Sequence, residues 1–291
     1  MSYYLFCYFT GNEPEKERIC LAVSRDGQHF CPLNGGKPII KQTAGTGCCR
    51  DPFILRDERG GYYIVATDMQ SSLGWCSNHG VVSWHSDDLL HWTDECAVDF
   101  HQFTATRNTD RIWAPEALYD RERDAYFVYY SVYNVGGVLP LSIWYSYTTD
   151  FRSFTEPQPL FAPSNGLDAI DADIIEKDGK YYMYYKDEYH KTICCVEADS
   201  LTGPYREYEG NQVACTDRNV EGNCIYPLVG TDTYIMMMDM YSDGRYFMQK
   251  TTDMRHFEPV EDFDLSFHPR HGSVLVITQA EYERLVQYYE G

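Results

Sequence analysis

The sequence predicts an all-β fold, a five-bladed β-propeller whose last blade is completed by the N-terminal strands and which ends in a short helix. Three observations carry this expectation. A phrase of the form Ser/Thr-x-Asp-x-x-x-aromatic recurs five times behind alternating strands. A second phrase, a short strand, a turn and a strongly aromatic strand, opens each repeating unit. The last opening lacks partner strands after it, and strands without an opening stand at the other end of the chain.

The turn phrase appears as AVSRDGQHF (22–30), WHSDDLLHW (84–92), SYTTDFRSF (146–154), the degenerate EADSLTGPY (197–205) and QKTTDMRHF (249–257). Asp26, Asp88 and Asp150 are evenly spaced, and the longer step to Asp253 spans two shorter units; this period suits a four-stranded blade. The openings are RDPFILRDERGGYYIVATD (50–68), WAPEALYDRERDAYFVYYS (113–131), IDADIIEKDGKYYMYYKDE (170–188), VEGNCIYPLVGTDTYIMMMD (220–239) and RHGSVLVI (270–277). Strands YYLFCYFT (3–10) and ICLAVSRDG (19–27) supply what the last opening lacks, so the ring closes and leaves no free sheet edge. In the tail, Thr278 and Glu281 have the spacing of a capping box, and Tyr282, Leu285 and Tyr289 share a helical face. No linker-like stretch divides the chain, which reads as one domain over residues 1–291.

Composition narrows the partners. Forty-four acidic against 24 basic residues give a net charge of −20, which repels nucleic acid and anionic membrane surfaces. A neutral, polyhydroxylated small molecule is compatible with that field, and 26 tyrosines, 14 phenylalanines and 5 tryptophans offer flat faces to sugar rings. The N-terminal segment lacks the features of a secretory signal, and the 11 cysteines, with adjacent pairs at Cys48-Cys49 and Cys194-Cys195, read as reduced thiols. The expected compartment is the cytoplasm.

If each opening strand is innermost in its blade, equivalent positions face one axis. Aligning the openings on Pro52, Pro115, Ala172, Gly222 and Gly272 puts Asp51, Ala114, Asp171, Glu221 and His271 at one level. Phe53, Glu116, Asp173, Asn223 and Ser273 form a second ring. A single acid in such a strand is usually a turn residue or a solvated group. Three acids converging in a small volume instead repel one another and raise at least one pKa, the division of labour that glycosidic hydrolysis requires.

At these residues the chain resembles family 43 of the glycoside hydrolases, five-bladed propellers acting on arabinosides, xylosides and some galactosides. RDPF, WAPE, IDADIIEKDGKYY, VEGN and RHGSV stand where that family has its Asp-Pro, Trp-Ala-Pro, Ile-Asp, Glu-Gly and His-Gly strands. The resemblance implies that Asp51 is the general base, Glu221 the general acid and Asp171 the carboxylate that tunes the acid, with inversion at the anomeric carbon. Inversion implies a gap of roughly 6.5–9.5 Å between Asp51 and Glu221. Ala172 and Asn223 depart from the family's prolines, which leaves Asp171 and Asp173 both as candidates for the tuning group; register favours Asp171.

Around the acids, Trp113 and Trp75 are candidate stacking residues, Glu116 and Asp173 candidate hydroxyl acceptors, and Arg270 a candidate to orient Asp51 or a sugar hydroxyl. His271 is a candidate for substrate contact or for holding an axial ion such as calcium, as in some family members. Asp68, Glu188 and Asp239 end second strands and are expected near the pocket mouth. Cys76 and His79 have a ligand-like spacing but no second pair, so no metal site is expected there, and no cofactor is required. No nucleotide-binding glycine loop or serine-hydrolase elbow occurs. The expected function is removal of a terminal α-L-arabinofuranosyl group from a neutral, plant-type oligosaccharide. β-Xylosidase and β-D-galactofuranosidase are the close alternatives, and a non-catalytic sugar-binding propeller is the alternative of a different class.

Overall fold

A computed structural model describes residues 2–134, 140–214 and 218–291. Its strands form five four-stranded antiparallel sheets, each a blade. The first blade is β4 (Cys49–Arg56), β5 (Tyr62–Asp68), β6 (Gly80–Ser86) and β7 (Thr93–Asp99). The second is β8 (Thr109–Asp120), β9 (Ala125–Asn134), β10 (Ser142–Thr148) and β11 (Gln158–Phe161). The third is β12 (Ala169–Lys177), β13 (Lys180–Asp187), β14 (Thr192–Ala198) and β15 (Gln212–Ala214). The fourth is β16 (Glu221–Pro227), β17 (Tyr234–Met240), β18 (Arg245–Thr251) and β19 (Glu258–Pro259). The fifth joins β20 (Gly272–Ile277) to β1 (Tyr3–Tyr8), β2 (Cys20–Ser24) and β3 (Phe30–Pro32), so the propeller expected from the repeats is the fold, closed as the sequence requires. Inner strands β4, β8, β12, β16 and β20 touch their neighbours around the ring.

Each gap between blades holds its own apolar layer. Leu5 and Leu21 meet Ile54, Ile64 and Trp84 between the fifth and first blades. Phe100, Val128 and Tyr130 meet Val65 and Val81 between the first and second, and Met183 and Tyr185 meet Phe127 and Ile143 between the second and third. Met236 and Met238 meet Tyr184 and Ile193, and Met237 and Tyr226 meet Phe6 and Tyr8, in the remaining two gaps. Each fully buried large side chain contributes about 1.5–3 kcal/mol, so a blade is stabilised chiefly by its neighbours.

The recurrent turn phrase joins the third strand of a blade to its fourth. The Ser24 hydroxyl accepts hydrogen bonds from the amides of Asp26 (3.2 Å) and Gly27 (2.9 Å), and Asp26 Oδ1 accepts from Gln28 and His29. Ser86 with Asp88, Thr148 with Asp150 and Thr251 with Asp253 repeat the pattern. These are the local side-chain caps that Ser, Thr and Asp offer a turn. The residue after each aspartate is left-handed, and in Leu89, Phe151 and Met254 it is a large apolar side chain with no exposure. Its carbonyl clasps the preceding blade: Ser83 donates to Phe151 O (3.1 Å) and Tyr184 to Met254 O (2.8 Å).

The C-terminal helix α1 (Gln279–Glu290) begins with the expected capping box between Thr278 and Glu281. Leu285 is fully buried in the fifth-to-first gap, with Tyr282 and Tyr289 packed beside it. Arg56 fixes the helix by donating to both oxygens of Glu281 (2.8 and 3.1 Å). The ten cysteines among the described residues are free thiols, including both adjacent pairs; Cys215 lies outside those residues. No helix among the described residues is long and apolar enough to cross a membrane.

Candidate active site

The site is made by a β-bulge that four inner strands share. Pairing with the second strand skips between Arg50 and Phe53, Trp113 and Glu116, Ile170 and Asp173, and Glu221 and Cys224. The first inserted residue is left-handed in every case: Asp51 (φ 50°), Ala114 (48°), Asp171 (52°) and Gly222 (58°). A bulge bends its strand and re-aims side chains, and here two consecutive residues of a strand reach the axial mouth. Arg50 and Asp51, Ile170 and Asp171, with Trp113 and Glu221, all line one cavity of about 370 Å³.

This register corrects the alignment made from sequence. Gly222, not Glu221, is the equivalent of Asp51, Ala114 and Asp171, and Cys224, not Asn223, is the equivalent of Phe53, Glu116 and Asp173. The small residue of VEGN occupies the left-handed position itself, whereas in RDP and WAP the small or proline residue follows it. Glu221 still enters the cavity, because the position before the bulge faces it too.

In three of the four bulges the amide of the left-handed residue, turned out of the ladder, is satisfied from the blade before it. Thr67 Oγ1 accepts from Ala114 N (2.8 Å), and Ser131 Oγ accepts from Asp171 N (3.2 Å). In the fourth blade Asp171 Oδ2 itself accepts from Gly222 N (2.9 Å). The strand position that carries Thr67 and Ser131 is Lys186 in the third blade, paired with Ile170. Its ammonium reaches Glu221 Oε2 (2.9 Å) and Glu188 Oε1 (3.3 Å).

His271 is the hub of the constellation. Its Nδ1 lies 3.4 Å from Asp51 Oδ1 and 4.0 Å from Asp171 Oδ2. Burial opposes its charge, but Asp171 and Asp51 outweigh that and raise its pKa to about 9. Burial also works against an ionised Asp51, yet the hydrogen bond and charge of His271, with Arg50 and Thr67, hold it below the ordinary carboxylate range. Asp171 goes the other way: burial, reinforced by the charges of Glu221 and Asp51, outweighs His271 and raises it to about 6. The three acids therefore sit in three environments. Asp51 is matched to an imidazolium, Asp171 is poised near neutrality, and both oxygens of Glu221 accept from cations, Lys186 on one side and Arg270 (3.0 Å) on the other.

Of the other residues singled out in the sequence, Trp113, Trp75, His271, Arg270 and Glu188 line the cavity. Trp75 is half-exposed and meets Trp113 edge-on, with ring centroids 6.4 Å apart. The Trp113 indole donates to the buried Asn78 side chain, and the Arg111 guanidinium lies over its ring. Arg270 does not hold Asp51: it donates to Glu221 and to Asp239 Oδ2, and His271 and Thr67 (3.0 Å) are what hold Asp51. Glu116 and Asp173 are not hydroxyl acceptors at the mouth. They are buried deeper, where Glu116 accepts from Tyr129 (2.8 Å) and Asp173 from the Ile225 amide (2.6 Å). Burial raises Asp173 to about 7, and it raises Glu116, next to Asp173, well above the usual range. Asp68 does not line the cavity either; it accepts from Gln42 (2.7 Å) and from both the amide and the hydroxyl of Thr46, tying down the loop before β4.

Arg50, Lys186, Tyr241 and Asn12 line or support the site without having been singled out. Arg50 is stacked between Phe9 (4.5 Å) and Trp75 (5.3 Å) and donates to Asn12 (2.7 Å). Lys186 was readable in principle, since a lysine at a position occupied by Thr67 and Ser131 in the preceding blades breaks the repeat.

The chain is similar to known proteins in sequence and in fold. An α-L-arabinofuranosidase of Bifidobacterium longum subsp. longum is 29% identical over 260 residues, covering 78% of this chain and 24% of that protein, so the chain spans about a quarter of its relative's length. A thermostable family-43 glycoside hydrolase superposes with a TM-score of 0.56 at 20% identity, over 75% of this chain and 73% of that one. The Podospora anserina α-L-arabinofuranosidase solved with cellotriose gives 0.58 at 14% identity, over 80% and 73%. At those identities the two structures speak for the fold. Residues 1–283 match the family-43-related family described as "Probable glycosyl hydrolase domain", and the chain belongs to that glycosyl hydrolase family.

Proposed function

We propose that the chain is an inverting exo-glycosidase that removes a terminal α-L-arabinofuranosyl group from a neutral oligosaccharide. The observation that carries this reading is the meeting of Asp51, Asp171 and Glu221 at one cavity in three different electrostatic environments. Asp51, kept ionised by His271, activates water; Glu221 protonates the departing oxygen; Asp171 tunes the exchange. Trp113 and Trp75 present ring faces to the sugar. The Bifidobacterium relative supports the arabinofuranoside over a xyloside or galactofuranoside. The free thiols among the described residues support a reducing, cytoplasmic setting. The reading requires no cofactor. His271, whose Nδ1 faces Asp51 and Asp171, is the residue that would contact an axial ion such as calcium, the alternative to a cofactor-free site.

One observation favours a second assignment of the acid. Asp171 has its pKa raised toward neutrality by burial, while both oxygens of Glu221 are bonded to cations. Leaving-group dependence separates the two. Asp51→Asn is expected to lower kcat by about 10²–10⁴ on every aryl α-L-arabinofuranoside, the range for loss of a general base. The variant that lacks the acid, Glu221→Gln or Asp171→Asn, recovers on dinitrophenyl leaving groups that need no proton. Proton NMR of the released sugar reads inversion directly. Near-normal turnover by both Asp51→Asn and Glu221→Gln would end the proposal.

A further inference from the structure

A group unrelated to the three acids lies where β7 ends. One ring nitrogen each of His79 and His101 and a carboxylate oxygen of Asp99 fall within 4.8 Å of one another. The two imidazoles are stacked, centroids 4.0 Å apart and planes 24° apart. We propose that His79, Asp99 and His101 form a binding site for a divalent transition-metal ion of the zinc class, braced against the tryptophan wall of the cavity.

The hydrogen bonds around the rings fix the donor atoms. His79 Nε2 lies 3.2 Å from the Cys76 carbonyl, and His101 Nε2 lies 2.7 Å from the Thr109 carbonyl. A carbonyl only accepts, so each Nε2 carries the hydrogen and a neutral ring keeps its lone pair at Nδ1. A ring nitrogen anchored to a backbone carbonyl while the other stays bare is the arrangement that orients metal-binding histidines. His101 Nδ1 faces Asp99 Oδ1 at 4.0 Å, too far for a hydrogen bond, so two electron-rich atoms are set against each other. A cation between them answers both.

The backbone beneath is fixed. Gly80 pairs with Asp99 across β6 and β7, and the Phe100 amide donates to His79 O (2.9 Å). Asp99 also caps the short turn that carries His101, accepting from its amide (2.9 Å). Ligand atoms on a four-coordinate zinc with bonds of about 2.0–2.1 Å stand roughly 3.4 Å apart. Side-chain rotation covers the difference without moving the strands. Two imidazoles and one carboxylate favour zinc, nickel or copper over calcium or magnesium, and the half-exposed ligands leave the remaining positions to water. His79 directly follows Asn78, whose side chain receives the Trp113 indole and donates to Trp75 O (3.1 Å), so the ion would pin the loop that builds the wall.

The test is calorimetric titration of the metal-stripped full chain with zinc chloride, with cobalt(II) absorption as a second readout. One site is expected, weakened at least tenfold in His79→Ala and in His101→Ala, and unchanged in Cys76→Ser, which removes a neighbouring exposed thiol. Zinc should raise the thermal midpoint of the wild type and not of the double histidine variant, whose zinc-free midpoint shows that it is folded. Equal affinity in wild type and histidine variants, loss of binding in Cys76→Ser alone, or no binding at all would overturn the proposal. None of these readouts depends on the glycosidase assignment.

Discussion

Replacing Gly222 by alanine isolates the contact on which the centre of the site rests. Gly222 has φ 58°, and a Cβ built there falls 2.6 Å from His271 Cγ and 2.7 Å from its Cβ. His271 is buried and cannot swing into solvent. Left-handed alanine costs about 1–2 kcal/mol, of which about 0.4–1 kcal/mol is recovered by restricting the unfolded chain. Forcing a methyl against a packed ring adds about 1–3 kcal/mol, for a total of about 1–5 kcal/mol. Gly179 is the internal control: its φ is 76°, but no atom lies within 4 Å of the added carbon, so its alanine variant carries the backbone cost alone. Urea unfolding of the two variants should differ by about 1–3 kcal/mol. Because the only escape for His271 is away from Gly222, its approach to Asp51 is disturbed, and kcat/KM on a nitrophenyl α-L-arabinofuranoside should fall at least tenfold in Gly222→Ala and hardly at all in Gly179→Ala. Equal losses of stability in both variants would show that the close approach of Gly222 to His271 is not there.

Three further outcomes are expected. Lys186→Met removes one charged donor from Glu221, worth about 1.5–3 kcal/mol, so kcat should fall about 10- to 150-fold with the fold preserved by circular dichroism; unchanged kcat would mean that the ammonium is only structural. Asp173 has a native pKa near 7 against an ordinary 3.8, so the native state binds the extra proton, and the stability it contributes is full below about pH 4 and lost as pH rises through 7. Asp173→Asn, which can still accept from Ile225, should flatten that decline by a few kcal/mol, at about 1.36 kcal/mol for each pH unit that separates the folded from the unfolded titration, in urea midpoints between pH 4 and 8; an unaltered slope would contradict it. Glu281 is held down to about 2, Arg56 and Tyr62 overcoming its burial, so its contribution is present above about pH 4.5 and lost as pH falls through 2. Arg56→Ala should cost about 1–2 kcal/mol at pH 7, discounted because the guanidinium is half-exposed, and should move acid unfolding to higher pH.

The repeat made the ring legible. The Ser/Thr-x-Asp phrase marks the turn between third and fourth strands because those side chains cap that turn wherever it occurs. The orphaned RHGSVLVI gave the closure, since a lone inner strand must find partners elsewhere. What the sequence did not expose is the bulge. Pattern reasoning treats a strand as strictly alternating, so it reaches the acids that line the cavity through a register that is one residue out at Glu221 and Asn223. For the same reason Glu116 and Asp173 looked available to substrate: they share a facing with the acids that line the cavity but lie deeper, where Tyr129 and the Ile225 amide consume them. The pairings of the site's cations were hidden differently. Arg270 is adjacent in sequence to His271, yet its partners Glu221 and Asp239 come from the neighbouring blade, and no local spacing announces such a pairing.

The fifth blade draws one strand from one end of the domain and three from the other. Leu5 opposite Leu275 and Cys7 opposite Ser273 are pairings across nearly the whole polypeptide, so the circle locks only after almost everything else has been laid down. During synthesis the nascent chain must therefore wait as an open arc with β1 to β3 unpaired on one side, a vulnerable interval in which chaperones or a neighbouring nascent chain could compete for that edge. Once shut, the same seam serves as a clasp: fraying either terminus exposes the gap beneath Leu285 and loosens the hub that His271 occupies at the foot of β20.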